Sequence, residues 1–373
     1  MVVMYSISPA VAALSEEAGS YYFTRHLLAF AIGVVGMLVV YRIPVHILKK
    51  AVPALATLSI LACGLIIILD GFAFRWIKIA GFSFQPAEMM KFTLIIGLGF
   101  FLAQARLKGE QGDFNRTIKP VLIVSAVLGI ILVVVQRDLG SMVVLASIIV
   151  AMLWVSGMPF QKLMMGVLVL GVLAGLAIVS TPYRRARFET FLNPTRDCQN
   201  EGYHACQALI AVGSGGVMGL GVGNSVQAYG YLPETPTDSI FAIYAEKFGL
   251  LGTVTMLILI GAVVLRLITI AERSTNWPNR LIVIGITTWI GVQSAINIGA
   301  MVGLIPLKGI TLPFISYGGS SLIFVMLAMG VALRISCYTG QRKTSLEKSI
   351  YINENSTMRR RDRRTYHTPL SSR

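Results

Sequence analysis

Charged side chains are scarce in this chain, and those that interrupt its apolar runs are the first place to look for chemistry. Asp238 closes Leu232-Pro-Glu-Thr-Pro-Thr-Asp238, just before a long apolar run. An oxygen acceptor at such a point can cap the free N–H groups of a first helical turn, and Thr237 or Asp238 would serve. A carboxylate there can equally act as a general base at a lipid–water boundary. Glu88 and Lys91 stand in Phe84-Gln-Pro86-Ala-Glu88-Met-Met-Lys91. Pro86 suits a first turn and Glu88 the positive end of a helix dipole. Their i,i+3 spacing puts carboxylate and ammonium on one face. That pair is either a helix start with a lysine snorkelling to the interface, or a charge pair kept at membrane depth for function. Asp138, in Gln136-Arg137-Asp138-Leu139-Gly140-Ser141, occupies a tight turn and reads as an N-cap or as a direct participant. Arg184, Arg185, Arg187 and Arg196 can fork onto phosphate oxygens, or be solvated surface charge.

The glycine-dense stretches Gly213-Ser-Gly-Gly216 and Gly219-Leu-Gly221-Val-Gly223-Asn224-Ser225 allow close backbone approach to a ligand. They follow no strand, so they do not make a nucleotide-binding fingerprint. The four cysteines form no CxxC pair and the four histidines are scattered, which argues against a metal site of Cys and His. Cys198 and Cys206 share one polar segment, where a disulfide or two thiols are both open readings. Cys63 and Cys337 read as packing residues or free thiols.

The elements that must position these groups are membrane helices. Of 373 residues, 55% are hydrophobic and only 13% charged, with mean hydropathy +0.72. Soluble chains carry about 25% charged residues, so lipid is the main solvent here. The fold class expected is an all-α polytopic transmembrane bundle. Nine apolar runs are long enough to cross the hydrocarbon, roughly 24–41, 51–69, 87–105, 119–136, 139–157, 160–180, 240–265, 281–304 and 320–338. Residues 1–338 form the membrane domain, with a long extracytoplasmic segment over about 181–239 that is Gly-rich and polar. Residues 339–373 form a basic, disordered cytoplasmic tail.

Charge orients the bundle. Arg42, Lys49, Lys50, Arg106, Lys108, Arg116, Lys119, Lys162, Arg266, Arg273, Arg280 and the tail fall on one side, which the positive-inside rule makes cytoplasmic. The net charge of +15 is thereby explained by topology, and nucleic acid is not needed as a partner. Nine spans and a cytoplasmic C-terminus put the N-terminus outside with nothing to carry it across. The apolar stub Met1–Leu14 is too short to span and reads as the end of a further, truncated span, making ten.

Seven segments in one order carry a specific resemblance: Phe84-Gln-Pro-Ala-Glu-Met-Met-Lys91, Gln136-Arg-Asp-Leu-Gly140, Gly202-Tyr-His-Ala-Cys-Gln207, Gly213-Ser-Gly-Gly216, Gly223-Asn-Ser-Val-Gln227, Leu232-Pro-Glu-Thr-Pro-Thr-Asp238 and Leu312-Pro-Phe-Ile-Ser-Tyr-Gly-Gly-Ser-Ser321. Together they resemble the SEDS family of shape, elongation, division and sporulation proteins, from the first residues to about Arg334. Pro306-Leu-Lys308-Gly-Ile-Thr311-Leu-Pro313 and Gly223-Asn224-Ser225 resemble the division branch, FtsW, more than the elongation branch. Pro236, Ser239, Lys247 and Arg137 depart from the family's usual residues.

The resemblance implies a ten-span fold and a peptidoglycan glycosyltransferase that polymerises lipid II beside a class B penicillin-binding protein and other divisome membrane proteins. It maps the family's essential aspartate onto Asp238 and its outer cavity onto Glu88, Lys91 and Asp138. The reaction joins an acceptor sugar hydroxyl to the anomeric carbon of a donor with inversion, and undecaprenyl pyrophosphate leaves. Asp238 is the expected base, and Lys91, Arg187 and Lys308 the expected pyrophosphate partners. Ser316 and Tyr317, in the Ile-Ser-Tyr-Gly-Gly-Ser-Ser motif, are further substrate-binding candidates. No cofactor motif is evident, and a divalent cation such as Mg2+ or Mn2+ is compatible with the chemistry. The rival readings are a lipid II flippase, an elongation polymerase of the RodA type and a non-catalytic scaffold. Transport needs a route open to both sides, whereas Lys91, Asp138, Asp238 and Lys308 all map near one side.

Overall fold

The computed structural model describes residues 1–14, 18–70, 76–79, 82–179, 182–192, 198–200 and 202–338. The tail 339–373 and Arg196 lie outside the described residues, as does the side chain of Arg184. Among the described residues, eight helices are long and apolar enough to cross a membrane: α2 (Tyr21–Arg42), α3 (Val45–Asp70), α4 (Pro86–Leu107), α5 (Phe114–Val135), α6 (Leu139–Ser156), α10 (Ile240–Arg273), α11 (Trp277–Met301) and α12 (Gly319–Tyr338). The sequence run 160–180 becomes α7 (Phe160–Val179), and the apolar stub becomes α1 (Val2–Leu14). Between α7 and α10 lie α8 (Pro182–Leu192) and α9 (Tyr203–Ser214). The protein is thus a multi-pass membrane helix bundle. Among the described residues its one β element is a two-stranded antiparallel pair, β1 (Ile77–Ile79) and β2 (Phe82–Phe84), which the all-α expectation did not include.

Burial sorts the helices. In α4, 83% of the apolar window is buried, against 17% in α2, so α4 is an inner helix and α2 mainly meets lipid. The helix α11 packs on α4, α6 and α10 and is the hub of the bundle. Trp289 at its middle is fully buried. The short α1 is no loose end: Met4 and Ile7 are completely buried, in a cluster with α9, α10 and Leu312.

The longest helix, α10, is broken at Gly249, whose φ of 61° and ψ of −163° suit glycine alone. A Cβ on Gly249 would lie 2.3 Å from the Gly219 nitrogen and 2.6 Å from the Val217 oxygen. Gly249→Ala is therefore expected to destabilise the protein by at least roughly 1–3 kcal/mol, from backbone strain alone. A melting curve in detergent measures this, and an unshifted transition would contradict the kink.

Candidate active site

The start of α4 is set by Pro86, which needs no hydrogen bond to its nitrogen there. Gln85 fixes the entry: its N–H donates to Ser320 Oγ at 2.9 Å, and its amide donates to Asp138 Oδ2 at 3.1 Å. One turn further on, Lys91 points into the bundle. It is 0% exposed, so it does not snorkel, and the interface reading of this lysine fails. Its Nζ donates to Glu88 Oε1 and to Gln293 Oε1, both at 2.7 Å. It also lies 5.0 Å from the centre of the Trp289 ring. Trp289 Nε1 donates to the same Gln293 oxygen at 2.8 Å. A full positive charge is tolerable here because a carboxylate, an amide oxygen and an aromatic face all meet it. Glu88 Oε2 is buried without a hydrogen-bond partner.

Asp138 acts as the N-cap of α6. Its carboxylate accepts from Ser141 N at 3.0 Å and Ser141 Oγ at 2.8 Å, in addition to Gln85. The cap thus also ties α6 to the start of α4. Asp138 is 1% exposed.

Asp238 is half-buried and lies immediately before α10. The N-cap is neither Thr237 nor Asp238 but Ser239, whose hydroxyl makes no capping bond. It donates instead to Pro233 O at 2.8 Å and meets His204 Nε2 at 2.8 Å. Thr237 Oγ1 is spent on Glu234. The backbone oxygen of Asp238 accepts from Asn297 Nδ2 at 2.7 Å, and the same amide donates to Ile310 O at 2.7 Å.

Gln293 and Asn297 are four residues apart on α11 and share a face. Gln293 holds Lys91 and donates to Thr311 O at 3.0 Å. Asn297 holds Asp238 and Ile310. The lysine contact and the aspartate contact are therefore separated by one helical turn, about 6 Å of rise. Thr311 Oγ1 reaches Ser321 Oγ at 3.0 Å, which closes the network on α12.

The remaining candidates gather around the segment between α11 and α12. Ser316 Oγ accepts from Leu312 N at 2.7 Å, so its hydroxyl shapes that turn. Tyr317 N donates to Pro236 O at 2.7 Å, which locks the turn to the approach of Asp238. The Tyr317 ring meets Tyr22 edge-on at 5.3 Å. Burial pushes its phenol above the ordinary value, with the positive Arg25 pulling the other way. Arg187 donates from Nη1 to Leu307 O at 3.4 Å, one residue from Lys308. Arg187, His204 and Leu307 line a cavity of about 70 Å³. Burial, and then the charge of Arg187, lower the His204 imidazole to about 4, against the opposing pull of Glu234, so it is neutral at pH 7. Cys198 and Cys206 form a disulfide. Among the described residues no group of three His, Cys, Asp or Glu side chains gathers to hold a metal.

The structure therefore joins Glu88 and Lys91 through Gln293 to Thr311 and Ser321, and ties Asp138 through Gln85 to the neighbouring Ser320. Asn297, one turn from Gln293, holds the backbone of Asp238. Arg187, next to the Lys308 segment, lies apart from these bonds. Gln85, Trp289, Gln293 and Asn297 were not singled out from sequence. The available signal was two amides four residues apart in an otherwise apolar span.

A half-buried carboxylate residue and a fully buried ammonium, tied to α11 one helical turn apart, mark the candidate site of a multi-pass membrane bundle. The chain belongs to the FtsW, RodA and SpoVE family of cell cycle proteins, whose model matches residues 1–341. It is 40% identical over 333 residues to the "Probable peptidoglycan glycosyltransferase FtsW" of Coxiella burnetii, covering 86% of this chain and 87% of that protein. It is 34% identical over 347 residues to stage V sporulation protein E of Bacillus subtilis, covering 91% and 93%. The fold matches a chain in a structure of a peptidoglycan synthase complex that coordinates polymerization and crosslinking, with TM-score 0.70, 24% identity and coverage of 91% and 96%. It also matches the rod shape determining protein RodA of Thermus thermophilus, with TM-score 0.60, 23% identity and coverage of 90% and 94%.

Proposed function

We propose that this protein is a peptidoglycan glycosyltransferase of the division type, which polymerises lipid II into glycan strands during septum synthesis. The observation that carries the reading is that α11 holds the backbone of Asp238 through Asn297 and a fully buried lysine through Gln293, two contacts one helical turn apart. The reaction needs a base for the acceptor hydroxyl and cations for the departing pyrophosphate. Asp238 takes the proton. Lys91 supplies fixed positive charge behind the leaving group, and Arg187 and Lys308 supply it at the outer rim. Glu88 and Gln293 hold the lysine, and Asp138 holds the start of α4. Ser316 and Tyr317 shape the turn that holds the approach to Asp238 and would contact the substrate there. No step is routed through a metal ion.

The reading includes a cytoplasmic C-terminus, Asp238 on the outer face, and location at the septum. Its partners are lipid II, membrane lipid, a class B penicillin-binding protein and other divisome membrane proteins. The FtsW name of the Coxiella burnetii relative supports division over elongation.

The test supplies the purified protein and its transpeptidase partner with lipid II already placed in the outer-facing leaflet. Glycan strands should form without any transport step. If only translocation of lipid II is seen, the protein is a flippase.

A further inference from the structure

No Asp, Glu, Lys or Arg occurs between Glu201 and Glu234, although this segment connects two helices on the presumed aqueous side. A solvated loop of this length has no physical reason to exclude charge, whereas a loop in hydrocarbon does.

The backbone behaves accordingly. Irregular chain survives at membrane depth only where its polar groups are satisfied within the protein. Gly219 N donates to Gly215 O at 2.8 Å, Leu220 N to Glu246 O at 2.9 Å and Gly221 N to Lys247 O at 3.0 Å. In return Leu250 N donates to Gly216 O at 2.9 Å and Leu251 N to Val217 O at 3.2 Å. These last two bonds use the N–H groups that the Gly249 kink releases from α10. Further along, the Glu246 carboxylate accepts from Ser225 Oγ at 2.6 Å and from the N–H groups of Val226 and Gln227 at 2.9 and 3.2 Å. Lys247 Nζ donates to Val222 O at 3.1 Å and Ser6 O at 2.6 Å. The two charges of α10 in this region are thus turned inward onto the loop, at 1% and 3% exposure.

The side chains do the opposite. Val217, Met218, Leu220, Val222 and Val226 all point outward, Met218 with 77% exposure. They continue the exposed apolar strip of α10 formed by Leu250, Leu251 and Val254, and then Leu257 and Ile258. Leu250 lies ten residues into α10, about 15 Å along the helix from its start. The glycine-rich turn is docked at that level.

We propose that residues 213–227 form a re-entrant element whose apolar side chains rest in the acyl chains of the leaflet on the Asp238 side. The occupant of this surface is lipid, because the surface is one with the lipid-facing strip of α10. The chain runs directly from this turn through Gln227 and Leu232 to Asp238, so its seating sets the height of that carboxylate relative to the bilayer. The inference concerns depth alone and stands whether or not Asp238 is the base.

The test uses the full chain in lipid nanodiscs. Exposed Cys337 is replaced by serine, and a bimane label is placed at Met218→Cys or, separately, Val222→Cys. Brominated phospholipid should quench both labels, more strongly with bromine near the headgroup end of the acyl chain than at its methyl end. Aqueous iodide should cause little loss of emission. Strong quenching by iodide with none by bromolipid would overturn the proposal in favour of a water-exposed loop. Protection from both quenchers would also overturn it, and would mean that protein covers the turn. The second position keeps the test valid if one variant folds poorly.

Discussion

Asp238→Asn is expected to lower the rate of lipid II polymerisation by roughly 10²–10⁴-fold, the usual worth of a positioned general base. The amide is isosteric with the carboxylate but cannot take a proton at neutral pH. Asn297 grips the backbone oxygen of residue 238 and not its side chain, so that contact survives the exchange. The melting temperature and binding to the transpeptidase should stay as in the parent. Strand length on gels, with purified lipid II, reads the activity. Parental rates in a folded Asp238→Asn protein would remove the base assignment.

Lys91→Met is the second change with a large expected effect, and it divides into two parts. Removing the ammonium leaves Glu88, 2% exposed, as an unpaired buried carboxylate. Breaking a buried pair in this way costs about 3–5 kcal/mol. Gln293 Oε1 also loses one of its two donors. A fall in activity from this variant alone would not distinguish collapse from chemistry. The double variant Lys91→Met with Glu88→Gln removes both charges and should recover most of the lost melting temperature. If Lys91 neutralises the leaving pyrophosphate, the double variant remains inactive although stable. Recovery of strand synthesis in the double variant would make the pair purely structural.

The spans were legible in sequence because a membrane helix must be apolar over its whole crossing, and the runs 87–105 and 139–157 coincide closely with α4 and α6. The run 240–265 reached only part of α10, which continues to Arg273. Its last turns carry Arg266, Glu272 and Arg273, which hydropathy reads as loop although they remain helical. The kink at Gly249 gave no warning, since glycine is common in membrane helices. Glu88, Lys91, Asp138 and Asp238 stood out because charge at membrane depth is costly. Gln293 and Asn297 did not, because a neutral amide in a span is far less costly, and only the fold reveals what it holds. The β1–β2 pair was missed for a simpler reason: strands of three residues carry no periodicity to read. The outward-facing apolar side chains and inward-bonded backbone of the charge-free stretch after Glu201 are not legible from its glycine, serine and asparagine content, because they depend on where the Gly249 kink docks.

One rigid rod, α11, carries both the grip on the ammonium and the grip on the carboxylate's own residue. Each grip also ends on consecutive residues of one connecting segment, Thr311 and Ile310. A shift of that helix along its axis would therefore carry both contacts with it.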